Sequence, residues 1–156
     1  MKKVYFLDTV HSVLNERLSN ANYNCIDATK ENTEELREIL SDAYGIVLRS
    51  RFTLNQEILS FCPKLKFIAR SGSGLENIDL EYCKSQNIKL GFIPGVNKQS
   101  VAELALTLIL ISLRKIHTNH TEILKGEWPQ EKGLELRGKK VGILGFGNIG
   151  QTLAKL

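Results

Sequence analysis

The sequence predicts an α/β fold, a parallel sheet covered on both faces by helices. Short apolar runs alternate with helix-compatible runs through residue 93 of the 156. Several of those runs are continuous rather than alternating. Ile46-Val47-Leu48 and Val141-Gly142-Ile143-Leu144 contain no charged or hydroxyl residue, as strands buried on both faces require. Composition agrees: 42% hydrophobic and 24% charged residues make a globular chain without a disorder signature.

Residues 4–7 are an apolar run broken by Asp8 and followed by His11 and Asn15, hence a first strand and not a signal peptide. A helix is expected at 12–19 and a strand at 23–26. The helix at 33–41 opens with Thr33 as cap and with Glu34 and Glu35 at the positive end of its dipole. Further strands are expected at 45–48, 67–69 and 89–93, with helices at 55–61 and 79–85 between them. Pro94-Gly95 then interrupts the alternation. Residues 101–113 form a helix with almost no polar face, ended by Arg114 and Lys115. Ser100 and Glu103 have capping-box spacing, with Glu103 read as a helix cap before any catalytic role. The run is too short for a membrane span, which takes about 20 residues, and is expected to be a buried helix. A more polar helix at 118–125, a loop at 133–138 and a strand at 140–144 follow. The change of pattern divides the chain into a first domain, 1–97, and a second, 98–156.

The net charge is +4, but the basic residues are scattered, and no stripe or groove motif points to nucleic acid. A small anionic ligand suits this balance. Cys25, Cys62 and Cys83 are odd in number and widely spaced, which reads as reduced, buried thiols of a cytoplasmic protein without a metal site. Neither a membrane nor a nucleic-acid partner is expected.

Gly145-Phe146-Gly147-Asn148-Ile149-Gly150 is a G-x-G-x-x-G loop between an apolar run and a helix-compatible run, the setting in which this motif holds a dinucleotide. The first glycine allows a tight turn, the second lets a pyrophosphate approach, and the third lets helix and strand pack closely. A glycine-rich turn without a ligand is the alternative. The ribose-binding acid of such sites stands about 20 residues further on, whereas this sequence ends six residues after Gly150.

Several segments together resemble the D-isomer-specific 2-hydroxyacid dehydrogenases, and among them the phosphoglycerate dehydrogenase branch. They are Val47-Leu48-Arg49-Ser50-Arg51, the stretch 63–79 with Arg70-Ser71-Gly72-Ser73-Gly74-Leu75-Glu76-Asn77, Pro94-Gly95-Val96-Asn97, Ser100-Val101-Ala102-Glu103, Gly126-Glu127-Trp128, and 136–150. The resemblance implies a flavodoxin-like substrate domain followed by the start of a Rossmann NAD-binding domain. It implies that Ser73 and Gly74 offer backbone N–H groups to a substrate carboxylate, a plain strand-ending turn being the alternative. It implies also that Arg49, unless it is only solvated at the surface, and Ser50 face the substrate, and that Asn97 shapes the cleft. Arg70 would contact a phosphate, the bland alternative being solvation at the surface. Arg49 and Arg70 together suit a phosphorylated acid such as 3-phosphoglycerate. Trp128 is either a dimer contact or part of a small satellite core. The cofactor implied is NAD, with NADP open, held by Gly145 to Gly150. The substrate implied is a small anionic 2-hydroxy or 2-keto acid.

The same resemblance places the catalytic arginine, carboxylate and histidine beyond Leu156, so none is assigned here. The nucleotide domain is expected to be truncated and the isolated chain inactive. Two other readings stay open. One is a subunit of a split dehydrogenase, completed by a C-terminal chain or paired as a homodimer. The other is a non-enzymatic flavodoxin-like binding module, disfavoured because Arg49 stands where a phospho-receiver needs an aspartate and Asp8 alone is insufficient.

Overall fold

The computed structural model describes residues 1–129 and 131–156. The chain divides into two compact units, Met1–Pro94 and Gly95–Leu156. The first unit runs β1 (Lys2–Phe6), α1 (Ser12–Asn20), β2 (Tyr23–Asp27), α2 (Thr33–Ile39), a 3-10 turn (Leu40–Asp42), β3 (Ala43–Leu48), α3 (Gln56–Ser60), β4 (Phe67–Arg70), α4 (Leu80–Ser85) and β5 (Lys89–Gly91). All pairings are parallel, in the order β2-β1-β3-β4-β5. This is the flavodoxin-like order, whose direction reverses between β1 and β3.

Successive strand residues point to opposite faces, and both faces are buried. Tyr5, Leu7, Ile46, Leu48 and Ile68 enter one core with Leu36, Ile58, Leu59 and Cys83 from the helices. Val4, Phe6 and Val47 enter the other, covered by Leu14 and Leu18 of α1. That two-sided burial explains the unbroken apolar runs. Gly45 is there because the Phe67 ring occupies the space its side chain would need.

Several local expectations require correction. The cap of α2 is Asn32, whose Oδ1 accepts from the Glu34 and Glu35 amides while Glu35 accepts from the Asn32 amide at 2.6 Å. Thr33 is therefore the first helical residue. β5 is shorter than expected because the Ile93 amide leaves the ladder to donate to the Gly72 carbonyl. Cys62 and Cys83 are buried, but Cys25 is only half-buried.

The second unit holds α5 (Lys98–Leu113), α6 (Ile116–Leu124) and α7 (Asn148–Leu153). α5 starts ahead of the expected capping box, at Asn97. The Ser100 hydroxyl thus donates to the Asn97 carbonyl at 2.9 Å, and Glu103 accepts from Gln99 instead of capping. Nor is α5 a buried helix. Only Ala102 is buried, while Leu104 and Leu108 are more than half exposed. The 140–144 run is irregular and Leu144 is fully exposed. A strand needs a partner, and among the described residues the second unit contains no other. No helix among the described residues is long and apolar enough to cross a membrane.

Two outcomes follow from this packing. Gly45→Ala drives a methyl group into the Phe67 ring and should destabilise the first unit by about 1–3 kcal/mol, read as a lower denaturant midpoint. Burial pushes the Cys62 and Cys83 thiols up to about 11. Iodoacetamide at about pH 8 should therefore modify Cys25 alone in the folded chain and all three cysteines in urea, as counted by mass spectrometry.

Candidate functional site

The carboxyl ends of β1, β3 and β4 meet around the backbone of Arg49. Asp8, two residues past β1, accepts from the Arg49 amide at 2.6 Å and from the Arg51 amide at 3.4 Å through one oxygen. The Arg49 carbonyl accepts from Arg70 Nε at 3.1 Å and from Asn77 Nδ2 at 3.3 Å, and Asn77 also donates to the Phe52 carbonyl at 2.7 Å. The Arg49 main chain is thus held from both sides. Its side chain is exposed and has no ion pair or hydrogen bond among the described residues. Ser50 beside it is exposed as well.

Arg51 is used differently from Arg49. Its guanidinium donates to the carbonyls of Leu7, Thr29 and Glu31 and lies 4.6 Å from the Phe52 ring centroid. It ties the loop after β3 to the ends of β1 and β2.

The loop after β4 supplies donors. The Ser71 amide continues the ladder to Leu48, and the Gly72 amide donates back to Arg70 at 2.9 Å. The amides of Ser73 and Gly74 have no acceptor among the described residues. Two adjacent N–H groups without acceptors, on the loop of the strand next to the one that ends at Arg49, can hold a carboxylate. Gly72 belongs to this loop but does not contribute its amide.

Arg70 is not a solvated surface residue. Its side chain is 11% exposed and pairs with Glu76 at 2.9 Å. The structure therefore joins Arg49, Ser50, Arg70, Ser73 and Gly74 at one end of the first unit's sheet. Asn97 and the glycine loop belong to the second unit. Asn97 is exposed at the start of α5, its carbonyl taken by Ser100 and Val101. Trp128 is 80% exposed, which removes the satellite-core reading.

Gly145 has φ +92, and both it and Gly147 face open space where a side chain would begin. Gly150 is buried, and a Cβ there would strike the Gly145 carbonyl. Gly147 caps α7 without a side chain, leaving the first-turn amides of the helix unsatisfied. Phe146 and Ile149 are exposed, and Asn148 packs where Gly95 lacks a Cβ. An open turn followed by unpaired N–H groups fits a pyrophosphate. His11 caps α1 by accepting from Val13, and His117 and His120 are exposed on α6.

Asp8, Glu76 and Asn77 were given no role from sequence. An acid just after the first strand was visible, but its partners lie 41 and 43 residues away. Asp8→Ala should leave two amides without an acceptor, costing about 1–3 kcal/mol. Hydrogen exchange at Arg49 and Arg51 should accelerate by about tenfold or more, while β5 amides keep their rates once the global change is subtracted.

Comparison with known proteins gives a consistent result. The family model for the "D-isomer specific 2-hydroxyacid dehydrogenase, catalytic domain" matches residues 4–153. Hydroxypyruvate reductase of Thermotoga maritima is 40% identical over 134 residues, spanning 83% of this chain and 44% of the relative. D-3-phosphoglycerate dehydrogenase of Methanocaldococcus jannaschii is 38% identical over 130 residues, spanning 82% and 25%. The crystal structure of NAD-dependent formate dehydrogenase from Staphylococcus aureus in complex with NAD superposes with a TM-score of 0.85 at 28% identity, covering 99% of this chain and 52% of that one. The chain spans about half, or less, of the length of these proteins.

Proposed function

This chain belongs to the D-isomer specific 2-hydroxyacid dehydrogenase family, and on that premise we propose that it is the substrate-binding part, with the first nucleotide loop, of an oxidoreductase that moves a hydride between NAD(H) and a small D-2-hydroxy acid. The observation that carries this reading is the pair of Ser73 and Gly74 amides without acceptors among the described residues, on the loop after β4, with Arg49, likewise unpaired among them, at the end of the adjacent strand β3. They lie at the carboxyl end of a doubly wound sheet, where such folds take their ligands.

In this reading the acid's carboxylate accepts from the Ser73 and Gly74 amides, and Arg49 neutralises its charge. Asp8 and Asn77 position the Arg49 backbone and do not touch substrate. Ser50 borders the site. The Gly145 to Gly150 loop, with Phe146, Asn148 and Ile149 around it, receives the pyrophosphate of NAD. The bound cofactor supplies or accepts the hydride. Reduction of a keto acid also needs a proton donor and a group that polarises the carbonyl. No histidine is paired with a carboxylate among the described residues, and on that ground we assign the isolated chain binding without turnover.

The names of the two relatives indicate glycerate-type acids, one phosphorylated and one not. A phosphorylated acid resembling 3-phosphoglycerate is the finer reading, in which Arg70 serves as second cation only once Glu76 releases it. The second unit carries a further observation: the exposed leucines of α5 form an apolar face. We assign its cover to polypeptide that completes the nucleotide domain, in the same chain or in another.

Titrating the purified chain with D-glycerate should shift the Ser73 and Gly74 amide resonances, and Arg49→Met should weaken binding by about tenfold or more. Unchanged affinity in that variant would remove the carboxylate site. With NADH and hydroxypyruvate or 3-phosphohydroxypyruvate the isolated chain should give no turnover above background, and sustained NADH oxidation would show that its machinery is complete.

A further inference from the structure

The two arginines at the end of the sheet are electrostatically unequal. Arg49 is exposed without a counterion among the described residues, whereas the Arg70 side chain is 11% exposed and already holds a carboxylate, Glu76, at 2.9 Å. Arg70 Nε is also committed, donating to the Arg49 carbonyl. The loop is shaped around this pair. Arg70 Nη1 fills the position a Gly72 side chain would take, and Glu76 Oε2 fills the one beside Gly74. The Glu76 side chain is 71% exposed, so its charge stands on the solvent side of Arg70. It is adjacent to one of the two free amides.

We propose that Glu76 is a specificity-determining residue that competes internally for Arg70 against the second anionic group of a substrate. The inference rests on the carboxylate site assigned above. A singly charged 2-hydroxy acid needs only the Ser73 and Gly74 amides and Arg49, and leaves the Arg70–Glu76 pair intact. An acid that carries a phosphate ester as well engages Arg70 only by displacing Glu76, and meets its negative charge on approach. Like charges held in one site oppose each other, so Glu76 lowers affinity for the phosphorylated acid selectively. Its exposure makes it replaceable without loss of core packing.

The test compares D-glycerate with 3-phospho-D-glycerate on the full chain, by amide shifts and calorimetry, for the original sequence, Glu76→Gln, and Arg70→Met with and without Glu76→Gln. Glu76→Gln should tighten 3-phospho-D-glycerate about tenfold and change D-glycerate less than about twofold, and the gain should vanish in the Arg70→Met background. An equal change for both acids, no change for either, or a gain that survives Arg70→Met would overturn the role of Glu76 and leave the carboxylate site standing. If neither acid moves the Ser73 and Gly74 amides in any variant, the carboxylate site fails and this role fails with it.

Discussion

The Asp8 carboxylate, shared between the Arg49 and Arg51 amides, holds the arrangement at the end of the sheet. Where parallel strands stop, the next amides lose their ladder partners and must find others. An ionised acceptor makes a stronger bond than a neutral one. Asp8 supplies it at the place where the strand order reverses, between β1 and β3. With its amide held from β1 and its carbonyl held by Arg70 and Asn77, Arg49 has a fixed main chain and a free side chain. The fixed main chain anchors the base of Arg49, while its guanidinium keeps its rotamer freedom.

Arginines gathered at one end of the sheet are distinguished by their partners. Arg51 spends its guanidinium on three backbone carbonyls, Arg70 on Glu76 and a carbonyl, and Arg49 on nothing among the described residues. Charge counting would treat all three as binding residues. The hydrogen-bond partners show that one is structural, one is neutralised and one is open.

The glycines divide in the same way. Gly45 yields to an aromatic ring, Gly72 and Gly74 to an ion pair, and Gly150 to a backbone carbonyl, whereas Gly145 and Gly147 border empty space. Open space at Gly145 and Gly147 leaves room for a ligand to approach the main chain there. α5 is the counterpart on a larger scale. Apolar residues on every side of a helix suit a setting with neighbours all round, and within this chain its leucines stay exposed. The proteins it matches are about twice as long or longer.

The sequence by itself determined the α/β class, the five strands and four helices of the first unit, and the glycine loop. It also placed Arg49, Ser73 and Gly74 in recognisable segments. These features are local, because alternation, apolar runs and turn residues act within a few positions of the chain. Helix starts were read less well: Asn32 caps where Thr33 was expected, and Asn97 precedes the expected Ser100 cap. Neighbouring polar residues compete for these positions over energies near 1 kcal/mol. Only the tertiary structure decided that Asp8 meets Arg49, that Glu76 neutralises Arg70, and that α5 and residues 140–144 stay exposed. Asp8 and Arg49 are 41 residues apart, Arg70 and Glu76 meet through the path of the loop after β4, and exposure depends on what packs nearby, none of which a linear pattern encodes.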